Sequence, residues 1–160
     1  NKGDFEFSLG GNNGLGLKFS GVRNDLAISE EQILKNLQEV QKTNGLAASE
    51  KLEGLNFSVE METGTGKTYV YLRTIYELNK RYGFKKFVIV VPSIAIKEGV
   101  LKNLEITAEH FQTIYDKTPV TYQVYSAERV SSLRSFADSN TIQILVINID
   151  SFAKDENVPE

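Results

Sequence analysis

From residue 56 onward the sequence alternates strictly between strand-like and helix-like segments. Short runs of β-branched and apolar residues, such as FVIVV at 87–91 and IQILVINI at 142–149, are separated by longer stretches with helical spacing. Parallel strands need a helix-sized crossover, so this order predicts an α/β fold with a parallel sheet and flanking helices. The nearly continuous apolar character of the strands predicts that both sheet faces are covered. The predicted elements are strands 56–61, 86–91, 120–125 and 142–149, and helices 66–82, 94–110 and 127–138.

Composition limits the classes to which the chain can belong. Its 160 residues suit one domain, and a hydrophobic content of 41% is enough to form a core. No apolar stretch reaches the length of a membrane span, and the N-terminus lacks a secretory pattern. The chain has no cysteine, which excludes a disulfide framework and fits a reducing cytoplasm. It does not begin with methionine, which suggests a fragment or a processed chain.

The first 50 residues follow a different pattern. Two runs of alternating apolar residues flank a Gly- and Asn-rich turn at 10–14, which predicts a β-hairpin. A helix is predicted over 29–44, with Ser29 as its N-cap. We therefore divide the chain into an accessory segment, 1–50, and the parallel-sheet domain, 51–160.

Residues 61–68, METGTGKT, lie between the first predicted strand and the first predicted helix of that domain. Glycine tolerates backbone angles that a side chain forbids, so Gly64 and Gly66 allow successive N–H groups to point into one concavity. The helix that follows adds unpaired N–H groups and the positive end of its dipole, so a triphosphate is the natural ligand. Lys67 would reach the β- and γ-phosphates, and the Thr68 hydroxyl would bind Mg²⁺.

METGTGKT, with VVPSIAIKEGV some twenty residues later and IQILVINIDSF further on, resembles a known family. From about residue 31 the chain resembles the motor of the Res subunit of type III restriction-modification enzymes, a RecA-like ATPase of helicase superfamily two. The general phosphate-loop motif has glycine where this chain has Met61, but the Met-Glu-Thr prefix is typical of this family. The resemblance implies an incomplete P-loop RecA-like domain with ATP and Mg²⁺ as cofactors. The nucleotide-binding residues that it implies are Glu62, Thr63, Gly64, Thr65, Gly66, Lys67 and Thr68.

The resemblance also implies DNA-facing segments. Pro92 and Ser93 match a motif that lies along the DNA backbone in such motors, and the Ser93 hydroxyl at a helix start could hold a phosphate with Lys97 as companion. The Pro-Ser pair is equally compatible with an ordinary capped helix start. Residues 148–152, which include Asp150, match a later segment near the DNA path.

The sequence also contains one candidate for the acidic motif that P-loop ATPases need beside Mg²⁺. ILVINID offers Asp150, but Asn148 interrupts the apolar run and Ser151 stands where glutamate is usual. We therefore expect Asp150 to face DNA. We expect the acidic motif, a second RecA-like domain and a nuclease domain to lie beyond Glu160, so that residues 1–160 alone do not turn over ATP.

The predicted function is the first part of the ATP-driven motor of a type III restriction enzyme subunit. Its expected partners are double-stranded DNA and the modification methyltransferase subunit, without a membrane and in the cytoplasm. The first competing function is that of another superfamily-two helicase or translocase. The second is that of a small kinase-like P-loop protein, which would need Asp150 as its metal ligand. The third is that of a non-enzymatic module that binds phosphate or DNA.

Several further side chains have expected local roles. His110, the only histidine, is expected to cap or pack rather than bind metal. Tyr69, Tyr71 and Tyr76 are expected to pack on a helix face rather than stack on a base. Helicase-like motors often contact adenine through a glutamine ahead of the phosphate loop. The sequence selects none among the three available, which are Gln32, Gln38 and Gln41.

Overall fold

The computed structural model describes residues 2–7, 17–126 and 130–150. The chain forms two compact units, one of Asn1–Asp25 with Gly66–Glu160 and one of Leu26–Thr65. In chain order the elements are β1 (Lys2–Phe7), β2 (Leu17–Val22), α1 (Glu30–Thr43), α2 (Lys67–Tyr82), β3 (Lys86–Val91), α3 (Ile94–Ile114), β4 (Val120–Val124), α4 (Val130–Asp138) and β5 (Ile142–Asn148).

The larger unit contains a three-stranded parallel sheet in the order β3-β5-β4. Val88 lies opposite Leu145 on one side of β5, and Tyr122 lies opposite Ile144 on the other. The α/β class and the parallel sheet with flanking helices are therefore confirmed, and the fold is consistent with a partial RecA-like domain. The predicted helix starts at 127–129 lie outside the described residues.

Helices α2 and α3 pack against one face of this sheet. Leu72 and Phe111 are only 1% exposed and lie in one cluster with Ile144 of β5. Burying such side chains contributes about 1.5–3 kcal/mol each. No helix in the described part of the chain could span a bilayer, and even the 21-residue α3 carries lysines and glutamates along its length.

The prediction that both faces of every strand are covered is wrong for β3. All seven residues of the central strand β5 are buried, but Val88 and Val90 of β3 are 52% and 56% exposed. The reason is position, because β5 has a paired strand on each side and β3 is an edge strand in the described sheet. An apolar run indicates that its residues can be buried, but the neighbours of each residue in the folded chain determine whether it is buried.

The predicted strand at 56–61 is also wrong, because these residues form no strand. A strand pairs its backbone N–H and C=O groups with a neighbour, and no described segment pairs with this one. Phe57 and Val59 are 52% and 79% exposed. The local pattern suits a strand, but strand formation depends on a pairing partner.

The predicted N-terminal hairpin and helix are both present in the structure. Strands β1 and β2 pair antiparallel from Lys2 opposite Val22 to Phe7 opposite Leu17, which confirms the hairpin, although its turn at 10–14 lies outside the described residues. Ser29 accepts a hydrogen bond from the Gln32 amide at 3.3 Å and caps α1 as predicted. The division of the chain at residue 50 stays a prediction.

The side chain of Asn24 pairs with the beginning of β3 in place of a neighbouring strand. Its Oδ1 accepts hydrogen bonds from the amides of Lys85 at 2.7 Å and Lys86 at 3.0 Å, and its Nδ2 donates to the Lys86 carbonyl at 2.6 Å. One side chain therefore satisfies three backbone groups at a sheet edge, where such groups otherwise lack partners.

We expect Asn24→Ala to lower the free energy of unfolding by about 1–3 kcal/mol, because three part-buried backbone groups lose their partner. Urea denaturation followed by circular dichroism measures this change. The matched control is Asn36→Ala, at an exposed position of α1, for which we expect a change below about 0.5 kcal/mol. Equal effects of the two substitutions would show that Asn24 does not support the sheet edge.

Candidate nucleotide-binding site

Helix α2 begins in a way that leaves its first amides without a side-chain cap. Its N-cap is Gly66, which has φ 85° and ψ 29°, a left-handed conformation that favours glycine. The first turn contains no acidic residue. By contrast, α1 and α3 are capped by the hydroxyls of Ser29 and Ser93. An uncapped helix N-terminus with a lysine beside it suits an anionic ligand.

The preceding residues, 62–65, belong to the Leu26–Thr65 unit and form a tight turn. The Thr65 hydroxyl donates to the Glu62 carbonyl at 2.7 Å, and the Thr65 amide donates to the same oxygen at 3.4 Å. Gly64 within this turn has φ +82°. The glycines predicted to shape the loop therefore have the backbone conformation that only glycine adopts without strain.

A groove of about 630 Å³ lies in the larger unit between the starts of α2 and α3, along β3. Lys67, Thr68 and Tyr71 line it from α2, and Pro92 and Asn103 line it from the other side. The side chains of β3 make much of its wall apolar. The structure thus brings Lys67 and Thr68 of the phosphate loop to the same groove as Pro92 of the predicted DNA-facing segment.

The two predicted DNA-facing segments meet at one edge of the sheet. Strands β3 and β5 are parallel neighbours, and the Ile149 amide donates to the Val91 carbonyl at 2.9 Å just where both strands end. Ser93 and Asp150 therefore follow adjacent strand ends, as polar residues of α/β binding sites commonly do. Phe152 lies outside the described residues.

Two side chains of the predicted DNA-facing segment, Ser93 and Lys97, already make local contacts. The Ser93 hydroxyl caps α3 by accepting from the Ile96 amide at 3.3 Å, and Lys97 pairs with Glu98 at 3.2 Å. The ordinary helix-start interpretation of Pro92 and Ser93 is therefore realised. It does not exclude phosphate binding, because a helix N-terminus has further amides, so the DNA role stays a prediction.

The aromatic residues of α2 pack as expected. Tyr76 stacks on Phe111 and Tyr115 with ring centroids 4.8 and 4.9 Å apart. The Tyr69 hydroxyl lies 2.8 Å from Nε2 of His110, so the histidine also has a local partner. Within residues that the structure describes, no three His, Asp or Glu side chains cluster closely enough to hold a metal ion by themselves.

The three candidate glutamines all have local hydrogen bonds within the smaller unit. Gln38 donates to the Ser49 carbonyl at 2.8 Å, and Gln41 bonds both the hydroxyl and the amide of Ser49. Gln32 donates to Asn36 at 2.7 Å. Gln38 and Gln41 thus fix the loop after α1, and none of the three is singled out for adenine.

Sequence reasoning missed Tyr71 as a member of the site. This residue was expected to pack on a helix face, yet it also lines the groove together with Thr68. The sequence spacing of Thr68 and Tyr71 could have indicated this, since residues three apart on a helix are neighbours on its surface. Asn103 was missed as well, and only the packing of α3 beside β3 brings it to the groove.

Comparison with known proteins decides the family. The family model described as "Type III restriction enzyme, res subunit" matches residues 26–160. The chain belongs to the family of type III restriction enzyme Res subunits. The resemblance drawn from METGTGKT and the later segments is thereby confirmed.

Individual Res subunits agree with this assignment. The chain is 36% identical over 143 residues to the EcoP15I Res subunit of Escherichia coli and 35% identical over 146 residues to the EcoPI Res subunit of Escherichia phage P1. These matches cover 78% and 79% of the chain. It is also 43% identical over 110 residues, 58% of the chain, to the StyLTI Res subunit of Salmonella typhimurium. The chain spans only 15% of the length of the first two Res subunits and 11% of the third.

The glycine at the start of α2 provides a test of the loop geometry. We expect Gly66→Ala to destabilise the fold by about 1–2 kcal/mol, because a side chain is strained at φ +85° although open space surrounds it. Gly99→Ala, in the helical backbone of α3 and also in open space, should instead stabilise by about 0.4–1 kcal/mol. The difference in urea midpoints checks both values. Similar shifts for the two variants would contradict the left-handed conformation.

Proposed function

We propose that this chain is the N-terminal ATP-binding part of the DNA-dependent motor of a type III restriction endonuclease subunit. The observation that carries the proposal is the start of α2, where a left-handed glycine, Lys67 and Thr68 stand at an uncapped helix N-terminus beside a groove. Membership of the Res family supports the same function. In the longer protein, ATP hydrolysis by this motor would be coupled to DNA cleavage performed elsewhere.

The residues from Glu62 to Thr68 suit a nucleoside triphosphate. The α2 amides and the Lys67 ammonium are donors, and phosphate oxygens accept such bonds without needing a proton. Lys67 would hold the β- and γ-phosphates and neutralise charge that builds up during transfer.

The Thr68 hydroxyl suits Mg²⁺, which prefers oxygen ligands and keeps several waters. When bound, the metal would neutralise phosphate charge. A carboxylate is also required near the ion. Asp150 is exposed just after β5, and we propose it as a DNA-facing residue and not as that carboxylate.

We propose that double-stranded DNA lies along the sheet edge at which β3 and β5 end. Pro92, Ser93, Lys97 and Asp150 all follow these two strands within a few residues. Amides at the start of α3 would bind backbone phosphate, which positions a duplex without reading its sequence. The modification methyltransferase subunit, as the second proposed partner, would supply sequence specificity, and the complex would act in the cytoplasm.

The proposal is tested by comparing ATP turnover of residues 1–160 with that of the longer protein that contains them. We expect DNA-stimulated hydrolysis by the longer protein with its modification subunit, and no turnover above background by the 160-residue chain. The reason is that phosphoryl transfer needs several groups acting together, including a carboxylate beside the metal and arginines, and we assign neither role to a residue of this chain.

Two results would contradict this proposal. Absence of ATP hydrolysis by the longer protein would remove the motor function. Steady-state turnover by residues 1–160 that depends on Asp150 would instead favour the small kinase-like protein, with a complete site inside this chain.

A further inference from the structure

The hydroxyl of Tyr71 is a buried polar group, and Tyr71 lines the groove that Thr68 also lines. Within the described residues its oxygen is shielded from solvent and makes no hydrogen bond of acceptable geometry. Tyr71 and Thr68 are three residues apart on α2, and both line the same groove. Burial raises the pKa of Tyr71, and the Thr68 side chain lowers it by a smaller amount.

A buried hydroxyl without a partner is unfavourable, and such groups are usually explained by a function or by an additional ligand. A threonine that binds a metal through one lone pair keeps a proton and a second lone pair on the same oxygen. The tyrosine hydroxyl can donate to one or accept from the other. Threonine side chains in helices divide between two rotamers, so a fixed neighbour can select the rotamer that faces the metal.

We propose that Tyr71 is a positioning residue whose hydroxyl holds the Thr68 hydroxyl toward the metal ion that accompanies the nucleotide. The inference rests on the proposed function, because it needs Thr68 to bind that metal. Partners of ligating groups commonly tune metal affinity in this way. The side-chain movement needed to form the hydrogen bond between Tyr71 and Thr68 would accompany metal binding, which fixes the orientation of Thr68.

Neighbouring tyrosines of α2 do not offer the same arrangement. The hydroxyl of Tyr69 lies 2.8 Å from His110 Nε2 and therefore has a partner. Tyr76 belongs to the aromatic stack with Phe111 and Tyr115. Tyr69→Phe is thus the matched control for Tyr71→Phe, since both remove one hydroxyl from α2 and keep the ring.

The experiment measures binding of a non-hydrolysable ATP analogue to the longer Res protein, in Mg²⁺ and in EDTA. The ratio of the two dissociation constants gives the strengthening due to metal. We expect Tyr71→Phe to reduce this strengthening about 2- to 10-fold, the effect of one hydrogen bond, while affinity in EDTA changes less than about 2-fold. Tyr69→Phe should change neither value.

A double-mutant cycle shows whether the effect passes through Thr68. Thr68→Ala should remove most of the strengthening, and adding Tyr71→Phe to it should have no further effect, because coupled residues are not additive. Additive losses, or an unchanged ratio in Tyr71→Phe, would overturn the positioning role. A parent protein that binds no analogue would instead refute the proposed nucleotide site itself.

Thermal unfolding without ligand separates positioning from a structural role. Tyr71→Phe removes an unpaired buried hydroxyl, so the melting temperature should stay the same or rise. A clear fall in melting temperature, together with equal loss of binding in Mg²⁺ and in EDTA, would show that Tyr71 only supports the fold.

Discussion

Replacing Lys67 with alanine should lower ATP turnover by the longer Res protein at least about 100-fold, the size of effect seen when one preorganised donor to a developing charge is removed. Lys67 stands at the first position of α2 and lines the groove with Thr68. Its ammonium would add a full positive charge to the helix dipole at the same point. The first turn of α2 contains no other cation that could replace this charge.

Lys102→Ala is the control for loss of a positive charge. Lys102 is 65% exposed and pairs with Glu105 at 2.9 Å, a surface ion pair worth at most about 1 kcal/mol. Steady-state ATP hydrolysis with saturating DNA should be within about 2-fold of the parent for this variant. If Lys67→Ala kept more than a tenth of the parent rate while folding normally, the proposed phosphate site would be wrong.

Replacing Phe111 with alanine should lower the free energy of unfolding by about 3–5 kcal/mol. Phe111 is 1% exposed and stacks on Tyr76 and Tyr69 at centroid distances of 4.8 and 5.2 Å. It therefore joins α3 to α2 over the sheet, and truncation would leave a cavity and remove two aromatic contacts. Since domains are stable by only about 5–15 kcal/mol, a large part of the total would be lost.

Urea denaturation of the 160-residue chain, followed by circular dichroism, measures this effect. Phe57→Ala removes the same side chain from a position that is 52% exposed, and should change the free energy of unfolding by less than about 0.5 kcal/mol. A loss below about 1 kcal/mol in Phe111→Ala would mean that the packing of α2 and α3 is not the main core of the chain.

Features set by local chemistry were predictable from the residues. Ser29 and Ser93 start their helices because a hydroxyl satisfies an otherwise unpaired amide, and both do so in the structure. Gly64 and Gly66 have the positive φ expected of a phosphate loop. The helix and strand bounds from residue 67 onward agree within a few residues for the same reason.

Features that depend on distant neighbours were not predictable in this way. The pattern at 56–61 is that of a strand, but only a paired neighbour makes a strand. The role of Asn24 at the start of β3 joins residues about 60 positions apart, and no local pattern indicates it. The burial of the Tyr71 hydroxyl likewise depends on how α2 packs on the sheet.

The amino-acid sequence by itself determined the α/β class and the phosphate loop, because periodicity, glycine conformation and charge act within a few residues. It indicated the family through the resemblance of its motifs. Only the tertiary structure decided that β5 is the buried central strand, that the ends of β3 and β5 meet, and that Tyr71 and Thr68 line one groove. The physical reason is that burial and pairing are properties of groups brought together by folding. A residue's own chemistry sets which contacts are possible, and its neighbours in space select among them.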